Sequence, residues 1–470
     1  SVPPVILETE PEQDETPAPE PEKEAAPAPE PEKEVAPTPE PEKEAVPAPE
    51  PQKEPKKEPK KEPQKEPKKE PQKDLSDNTK PAKDTKPVKE NRKPREKVAP
   101  AGIGPIKIDQ VLVIPSIKGY EPPKPFVPVV IPEETVVVKK CEFDFFGNKL
   151  AIPIDDDCRF TLTGNTNYGV SKAVSQISKN DKYSIVLHEC LELRDKLNLC
   201  DWAYYMMLCD LADSFYGKDS NEGNLVLAYL YIMSGYKVRM AHDNEHVFVL
   251  LASKHRLTGR GYYKFDDDFF YVMRGKEPEK ISFCPVPFPK ETGLSLVIPE
   301  IQEFAFEATQ PRTISSLRYP EFSFTISLNK NFIDFYNTYP SSVLGNNDMT
   351  RWAMYANAPM TEEVKNQLYP QMSAKLQGLS EYEAVSRLLN WVQTGFDYKF
   401  DNEVWGHDRP FFGEESLFYP YCDCEDRAIL LSHLVRDLVG LKTALVYVPG
   451  HLAMAVEFNE DVDGCYFVVD

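Results

Sequence analysis

The sequence lacks any hydrophobic run long enough to cross a membrane. A membrane helix needs about 20 mostly apolar residues, and the longest clear run here is Leu225 to Met233. The chain also begins at Ser1 without an apolar signal segment, which suggests a mature or trimmed product. We therefore expect no transmembrane segment.

Basic charge and regular cysteine spacing are lacking too. The net charge is −21 at pH 7, and no basic stripe is present that would hold a nucleic-acid backbone. The nine cysteines are odd in number and widely scattered, unlike the disulfide framework of a small secreted domain. These absences argue against nucleic acid as a partner and leave the redox compartment open.

Residues 1–100 lack the apolar side chains that a core would need. A Pro-Ala-Pro-Glu-Pro-Glu-Lys-Glu motif recurs there with small variations from Pro17, Pro27, Pro37 and Pro47, and shorter Pro-Lys-Lys-Glu repeats follow. Such a composition predicts disorder, and frequent proline favours extended polyproline II at about 3 Å per residue. We interpret this segment as a spacer for surface attachment, although a solvated tail without a role is the simpler alternative.

A thiol and an imidazole occur at predicted secondary-structure boundaries near the end of the sequence. After Cys424, apolar residues recur at helical spacing up to Gly440, which predicts a helix that begins at Cys424 and is capped by Gly440. His451 follows a Pro-Gly turn and opens a β-branched strand, and Asp470 ends a further strand. Cysteine, histidine and aspartate in this order are the groups needed for nucleophilic catalysis by a thiolate.

The predicted position of Cys424 favours an ionised thiol. Backbone N–H groups at a helix N-terminus attract an anion and lower a thiol pKa. The carboxylates of Asp423, Glu425 and Asp426 oppose this effect, so an ion pair with protonated His451 would have to offset them. The simpler alternative is that Cys424 is a small buried residue and His451 a packed polar one.

A metal site at Cys422-x-Cys424 is a further alternative. A second cysteine pair is missing, and a one-residue spacing is unusual for zinc. We therefore expect no metal and no organic cofactor.

The set of motifs resembles the transglutaminase-like superfamily, a broad papain-related group of cysteine enzymes. The matching segments are Cys424-Glu-Asp-Arg-Ala, Gly-His451, Tyr-Phe-Val-Val-Asp470 and an upstream helix from Tyr382 to Phe396, within residues 375–470. The resemblance implies that Cys424 is the nucleophile, His451 the general base and acid, and Asp470 the residue that orients the imidazole.

An earlier stretch repeats part of this arrangement. Gly235 precedes His246 by eleven residues, as Gly440 precedes His451. The counterpart of Cys424 would be Asn221 or Asp219, neither of which can act as a thiolate. We interpret the earlier stretch as a degenerate copy without catalytic activity, with coincidence among helix–strand–strand patterns as the alternative.

These observations predict an α+β protein. Its predicted segments are the spacer at 1–100, a degenerate transglutaminase-like unit at 101–285, a β-rich connector at 286–374 and a catalytic unit at 375–470 that we expect to continue past Asp470 in the natural protein. A hairpin is expected after Cys141, and strands are expected around 294–298 and 322–328, with a turn at Asn329-Lys330. Ser380 with Glu383 is expected to form a capping box that opens the helix from Tyr382.

The expected function is hydrolysis of an amide bond through an acyl-enzyme on Cys424, with a peptide or protein as substrate. Transfer of the acyl group to an amine would use the same intermediate, but water is far more abundant. A non-catalytic binding or structural protein is the alternative. The spacer and the resemblance together suggest an extracytoplasmic setting, either periplasmic or on a bacterial cell surface.

Overall fold

The computed structural model describes residues 112–114, 122–125, 139–265, 267–284, 291–345 and 347–462. The predicted spacer and Asp470 lie outside these ranges. The described residues form a mixed α+β structure, as expected from the sequence, and all fall within one compact unit bounded by Arg92 and Asp470.

The helices of the described residues are as follows: α1 Asn167–Lys179, α2 Lys182–Lys196, α3 Asp201–Tyr216, α4 Asn221–Met233, α5 Lys330–Tyr336, α6 Ala353–Asn357, α7 Glu362–Leu376, α8 Glu381–Thr394, α9 Asp401–Val404, α10 Gly413–Phe418 and α11 Cys424–Leu434. A π-helical turn, Val435–Val439, extends α11. None of these helices is both long and apolar enough to span a bilayer.

The strands are as follows: β1 Leu112–Val113, β2 Cys141–Phe145, β3 Asn148–Ile152, β4 Val238–His242, β5 Val247–Ser253, β6 His255–Leu257, β7 Tyr263–Phe265, β8 Asp268–Val272, β9 Ser282–Phe283, β10 Arg312–Ser315, β11 Ser323–Ile326, β12 Ser342–Leu344, β13 Asp397–Tyr398, β14 Tyr421–Cys422, β15 Lys442–Val448 and β16 His451–Glu457.

Two antiparallel sheets organise the structure. The larger has the order β7-β8-β5-β4-β9, and the smaller has the order β1-β15-β16. A short parallel pair of β13 and β14 places Tyr398 opposite Cys422, which brings the loop after α8 beside the start of α11.

Helices α4 and α11 each pack on the hairpin that follows them in the chain. We call α4 with β4 and β5 the first helix–hairpin, and α11 with β15 and β16 the second helix–hairpin. Buried side chains of both belong to one continuous hydrophobic core, as Leu227 and Leu430 illustrate. The main core is therefore shared rather than divided between the two.

Local sequence signals placed several element ends correctly. Ser380 and Glu383 form the capping box that opens α8. Gly440 follows the π-helical turn with a φ of +76°, the left-handed conformation that glycine adopts most easily. The predicted hairpin after Cys141 is also present as β2 and β3.

The expectation of a β-rich segment at 286–374 was wrong. It contains α5, α6 and most of α7, and its named strands are short. Asn329 does not form a turn between strands. Its side chain accepts a hydrogen bond from the N–H of Asn331 and caps α5, because asparagine serves helix starts as well as turns.

Candidate functional site

Cys424 is the first residue of α11, and Asp423 is its N-cap. The thiol is partly buried, and its Sγ donates a hydrogen bond to Oε2 of Glu425 at 3.1 Å. The backbone N–H of Leu452, in the adjoining strand β16, also donates a hydrogen bond to the sulfur. The thiol therefore lies where helix and hairpin meet, with a carboxylate as its hydrogen-bond acceptor.

The environment of Cys424 does not lower its pKa, and that expectation was wrong. Burial first, and then the negative charges of Glu425 and Asp423, together raise the pKa of the Cys424 thiol to about 12, although the hydrogen bond from the Leu452 N–H acts to lower it. Burial and adjacent carboxylates both disfavour the thiolate. In this conformation the sulfur is a protonated donor.

His451 is the first residue of β16 and pairs with Val448 across the two-residue Pro449-Gly450 turn. Its side chain is partly buried, and burial lowers its pKa, while the negative charge of Glu425 acts in the opposite direction. Glu425 is thus close to both Cys424 and His451. Within the described residues no hydrogen bond joins the thiol to the imidazole, so the expected ion pair is not formed in this conformation.

Asp470 lies outside the described residues, so its predicted role in orienting His451 stays a prediction. His433, in the last turn of α11, is a buried and packed histidine rather than a second base. Burial lowers its pKa to about 4, and its Nε2 lies 3.4 Å from the Tyr355 carbonyl oxygen.

Several carboxylates surround the start of α11. Ligand atoms of Asp401, Asp423 and Asp426 lie within 4.8 Å of one another, and the same limit holds for Asp401, Asp408 and Glu425. We call these five residues the carboxylate cluster. Burial is the main reason that the pKa of Asp401 rises to about 6 and that of Asp423 and Asp426 rises well above its usual range.

The cluster is held by backbone donors. Asp426 Oδ1 accepts from the N–H of Phe411 at 2.8 Å, and Asp401 Oδ2 accepts from the N–H of Arg409 at 2.5 Å. Sequence reasoning had noted Asp423, Glu425 and Asp426 only as charges that oppose a thiolate. It missed Asp401 and Asp408 entirely, because their approach to α11 depends on the β13–β14 pairing and on no periodic signal.

Tyr398 is a further neighbour that the sequence did not indicate. Its position opposite Cys422 brings its hydroxyl to the Cys424 thiol, and burial together with that thiol and Asp423 raises the pKa of Tyr398. Tyr398 therefore remains a neutral phenol that can exchange hydrogen bonds with the sulfur.

The first helix–hairpin has the same local geometry with different chemistry. Asn221 is the first residue of α4, its Oδ1 accepts from the N–H of Val247 at 2.8 Å, and its Nδ2 donates to the Glu245 carbonyl at 2.9 Å. Val247 follows His246 as Leu452 follows His451. Of the two counterparts considered for Cys424, this geometry favours Asn221.

The second cysteine of the Cys-x-Cys motif does not share a ligand group with the first. Cys422 Sγ accepts a hydrogen bond from Nε of Arg427 at 3.4 Å, and burial raises the pKa of Cys422 to about 12. Among the groups of side chains suited to a metal in the described part of the chain, one contains Cys424 and none contains Cys422. A zinc site on the two cysteines therefore has no support in the geometry.

No protein-family model, no curated protein and no solved structure matches the chain. The resemblance to the transglutaminase-like superfamily thus rests on the motifs around Cys424 and His451, and membership of that family stays a prediction.

Proposed function

We propose that the protein is a cysteine-dependent amide-bond hydrolase in which Cys424 is the nucleophile and His451 transfers the proton. The observation that carries the proposal is that the first residue of α11 and the first residue of β16 lie beside one carboxylate, that of Glu425. A thiol and an imidazole on two packed elements are the minimum equipment for acyl transfer through a thioester.

In the proposed reaction, this arrangement corresponds to a resting state. The thiol proton is directed to Glu425, and catalysis requires the thiol to turn toward His451 instead. The thiolate then attacks the carbonyl carbon, and His451 passes the proton to the leaving amine. Water, activated by the same imidazole, hydrolyses the thioester and restores the free thiol.

The N-terminus of α11 supplies a reason for placing the nucleophile there. The first N–H groups of a helix have no partner within it and attract negative charge. A tetrahedral intermediate on Cys424 would develop an oxyanion close to these donors. The same donors favour the thiolate once the thiol has left Glu425.

A non-catalytic binding or structural role is the second candidate, and the raised thiol pKa favours it. With a pKa of about 12, only about one thiol in 10⁵ is ionised at pH 7. A protein that uses this helix–hairpin purely as a scaffold has no need of a thiolate, and the thiol–Glu425 hydrogen bond would then be structural.

The test is modification of the full chain at pH 7 by iodoacetamide and by a peptidyl acyloxymethyl ketone, with the modified cysteine identified by peptide mapping. We expect Cys424 to react with the peptidyl ketone faster than the other eight cysteines. His451→Ala should lower its rate about 100-fold, the lower end of general-base effects.

His246→Ala is the matched control, because His246 holds the equivalent turn position in the first helix–hairpin and should leave the rate unchanged. A Cys424 that reacts no faster than the other cysteines with either reagent would favour the scaffold. Equal rates in wild type and His451→Ala would remove His451 from the mechanism.

A further inference from the structure

The carboxylate cluster contains more buried acidic groups than nearby basic side chains pair with. Asp401, Asp423 and Asp426 are 8 %, 6 % and 1 % exposed. Each buried carboxylate that keeps its charge loses hydration, so it needs a cation, a proton or several hydrogen bonds in return. Three such groups within 4.8 Å of one another make that requirement acute.

Nearby basic side chains are engaged elsewhere. Among the described residues, the ion pair of Arg351 with Asp408 at 3.0 Å is the one salt bridge made by any member of the cluster. The Arg409 guanidinium bonds Glu415 and Asn337, and the Arg427 guanidinium bonds the Phe396 carbonyl. None of the three buried aspartates therefore forms a salt bridge with an arginine or lysine among the described residues, although the positive charge of Arg409 acts to lower the pKa of Asp401.

One oxygen of Asp423 gives separate support for a cation, which does not depend on how many acidic residues the cluster contains. Its Oδ1 is buried and has no hydrogen-bond partner among the described residues. The carboxylate that carries this atom belongs both to the Asp401–Asp426 group and to the group formed with Cys424 and Glu425. A buried acceptor without a donor has lost its hydration without compensation, and a cation held between these carboxylates would supply that compensation.

We infer that Asp401, Asp423 and Asp426 form a binding site for one hard divalent cation of the class of Ca²⁺, Mg²⁺ or Mn²⁺. The three aspartates offer only oxygen atoms, which hard cations prefer, and no nitrogen or sulfur that would select zinc. Metal–oxygen distances of about 2.1–2.5 Å place opposite ligand atoms about 4–5 Å apart. The ligand atoms of the three carboxylates lie within 4.8 Å of one another, which is close enough for one ion to reach all three.

The neighbouring residues suit such a site. The N–H groups of Phe411 and Arg409 fix the carboxylates of Asp426 and Asp401 in place, as outer partners of metal ligands commonly do. Asp408 is exposed, pairs with Arg351 and lies within the same distance limit of Asp401, so the cluster extends to the solvent on this side. The site involves neither the thiol nor the imidazole and stands or falls independently of the proposed hydrolysis.

The first experiment is titration of the full chain, stripped with EDTA, with MnCl₂, MgCl₂ and CaCl₂ by calorimetry, and with MnCl₂ by electron paramagnetic resonance. We expect about one equivalent of at least one of these ions to bind and to raise the unfolding temperature, since a ligand that binds only the folded state stabilises it. Absence of both effects with all three ions would overturn the inference.

Asp423→Asn tests the position of the ion. It removes one charge from the cluster, so we expect binding to weaken at least about tenfold while the metal-free variant unfolds at the same temperature as wild type or higher. Glu403→Gln, an exposed neighbour on α9, is the matched control and should bind as wild type does.

Asp423→Asn that binds as tightly as wild type would place the ion elsewhere, for example on the glutamate-rich residues 1–100, and would overturn the site. Asp401→Asn provides the same test if Asp423→Asn fails to fold. In that variant, unweakened binding would contradict the inference, and binding weakened at least about tenfold would support it.

Discussion

The two helix–hairpins share a backbone arrangement but differ in what stands at the start of the helix. Aligned on the first helical residue, Asn221 corresponds to Cys424, Ser220 to Asp423 and Gly223 to Asp426. A neutral hydrogen-bonded amide stands in one, and a thiol among carboxylates in the other. The same scaffold thus pairs the side chain of its first helical residue with backbone groups in the first case and surrounds it with carboxyl groups in the second.

The hairpin turns match as closely as the helix starts. In the first, the N–H of Asp243 bonds the carbonyl of His246 across two residues. In the second, Val448 pairs with His451 across Pro449-Gly450. These parallels support the hypothesis of an internal duplication, in which the longer helix of the second copy is accommodated by its π-helical turn.

The largest effect is expected from truncation of core leucines, which tests whether the two helix–hairpins unfold together. Leu227 and Leu430 hold equivalent helical positions, and each is 0 % exposed. Truncation of either to alanine should lower the free energy of unfolding by about 2–5 kcal/mol through lost burial and a cavity. Because the core is shared, both variants should shift one cooperative transition in denaturant. Two separate transitions, each sensitive to one variant, would show that the two fold independently.

The next effect concerns pH and the second helix–hairpin. The Asp401 pKa is about 6 when folded and about 3.9 when unfolded, so the unfolded chain loses this proton first as pH rises. Stability should therefore decline between about pH 4 and pH 6, by about 2–3 kcal/mol from this group alone. Asp401→Asn should flatten part of that decline, measured by urea unfolding in EDTA.

Asp201, in α3 beside the first helix–hairpin, limits how much of the pH dependence Asp401→Asn can remove. Burial raises its pKa to about 7, so it contributes a decline over a similar window. Asp401→Asn should accordingly remove only a part of the pH dependence. If Asp401→Asn has the same pH profile of unfolding free energy as wild type, the pKa of Asp401 is not raised in the folded state.

A smaller effect separates the two helix starts. Asn221→Ala loses the hydrogen bonds to Val247 and Glu245 and leaves their backbone groups unpaired, which should cost about 1–2 kcal/mol. Cys424→Ala loses a small side chain and the weak hydrogen bonds of its sulfur with Glu425 and the Leu452 N–H, and should cost less than about 1 kcal/mol. Chemical denaturation of both variants measures the difference. A reversed order would make the thiol the structural member of the pair.

The smallest effect addresses the carboxylate beside the thiol. Glu425→Gln removes the negative charge that helps to raise the Cys424 pKa, so that pKa should fall by about one unit, equivalent to about 1.4 kcal/mol. The pH profile of iodoacetamide labelling at Cys424 would shift to lower pH accordingly. Glu222→Gln, at the corresponding position of α4, is the control. An unshifted profile would mean that burial alone sets the thiol pKa.

Sequence alone determined the local features of this protein. Apolar spacing, a glycine able to adopt positive φ and the Ser380–Glu383 capping pair placed α8 and α11, since these signals act within a few residues. The Pro-Gly turn likewise placed His451 at the start of its strand. The connector was misjudged because an asparagine before Lys330 suits a helix start and a turn equally well.

Only the tertiary structure decided the electrostatics of the site. Sequence placed Cys424 at a helix start but could not show that burial and Glu425 keep its proton in place. Asp401 and Asp408 reach Asp423 through the pairing of two short strands, a contact that no local pattern encodes. A pKa depends on burial and on charges brought together across the chain, so the folded arrangement sets the chemistry of this thiol.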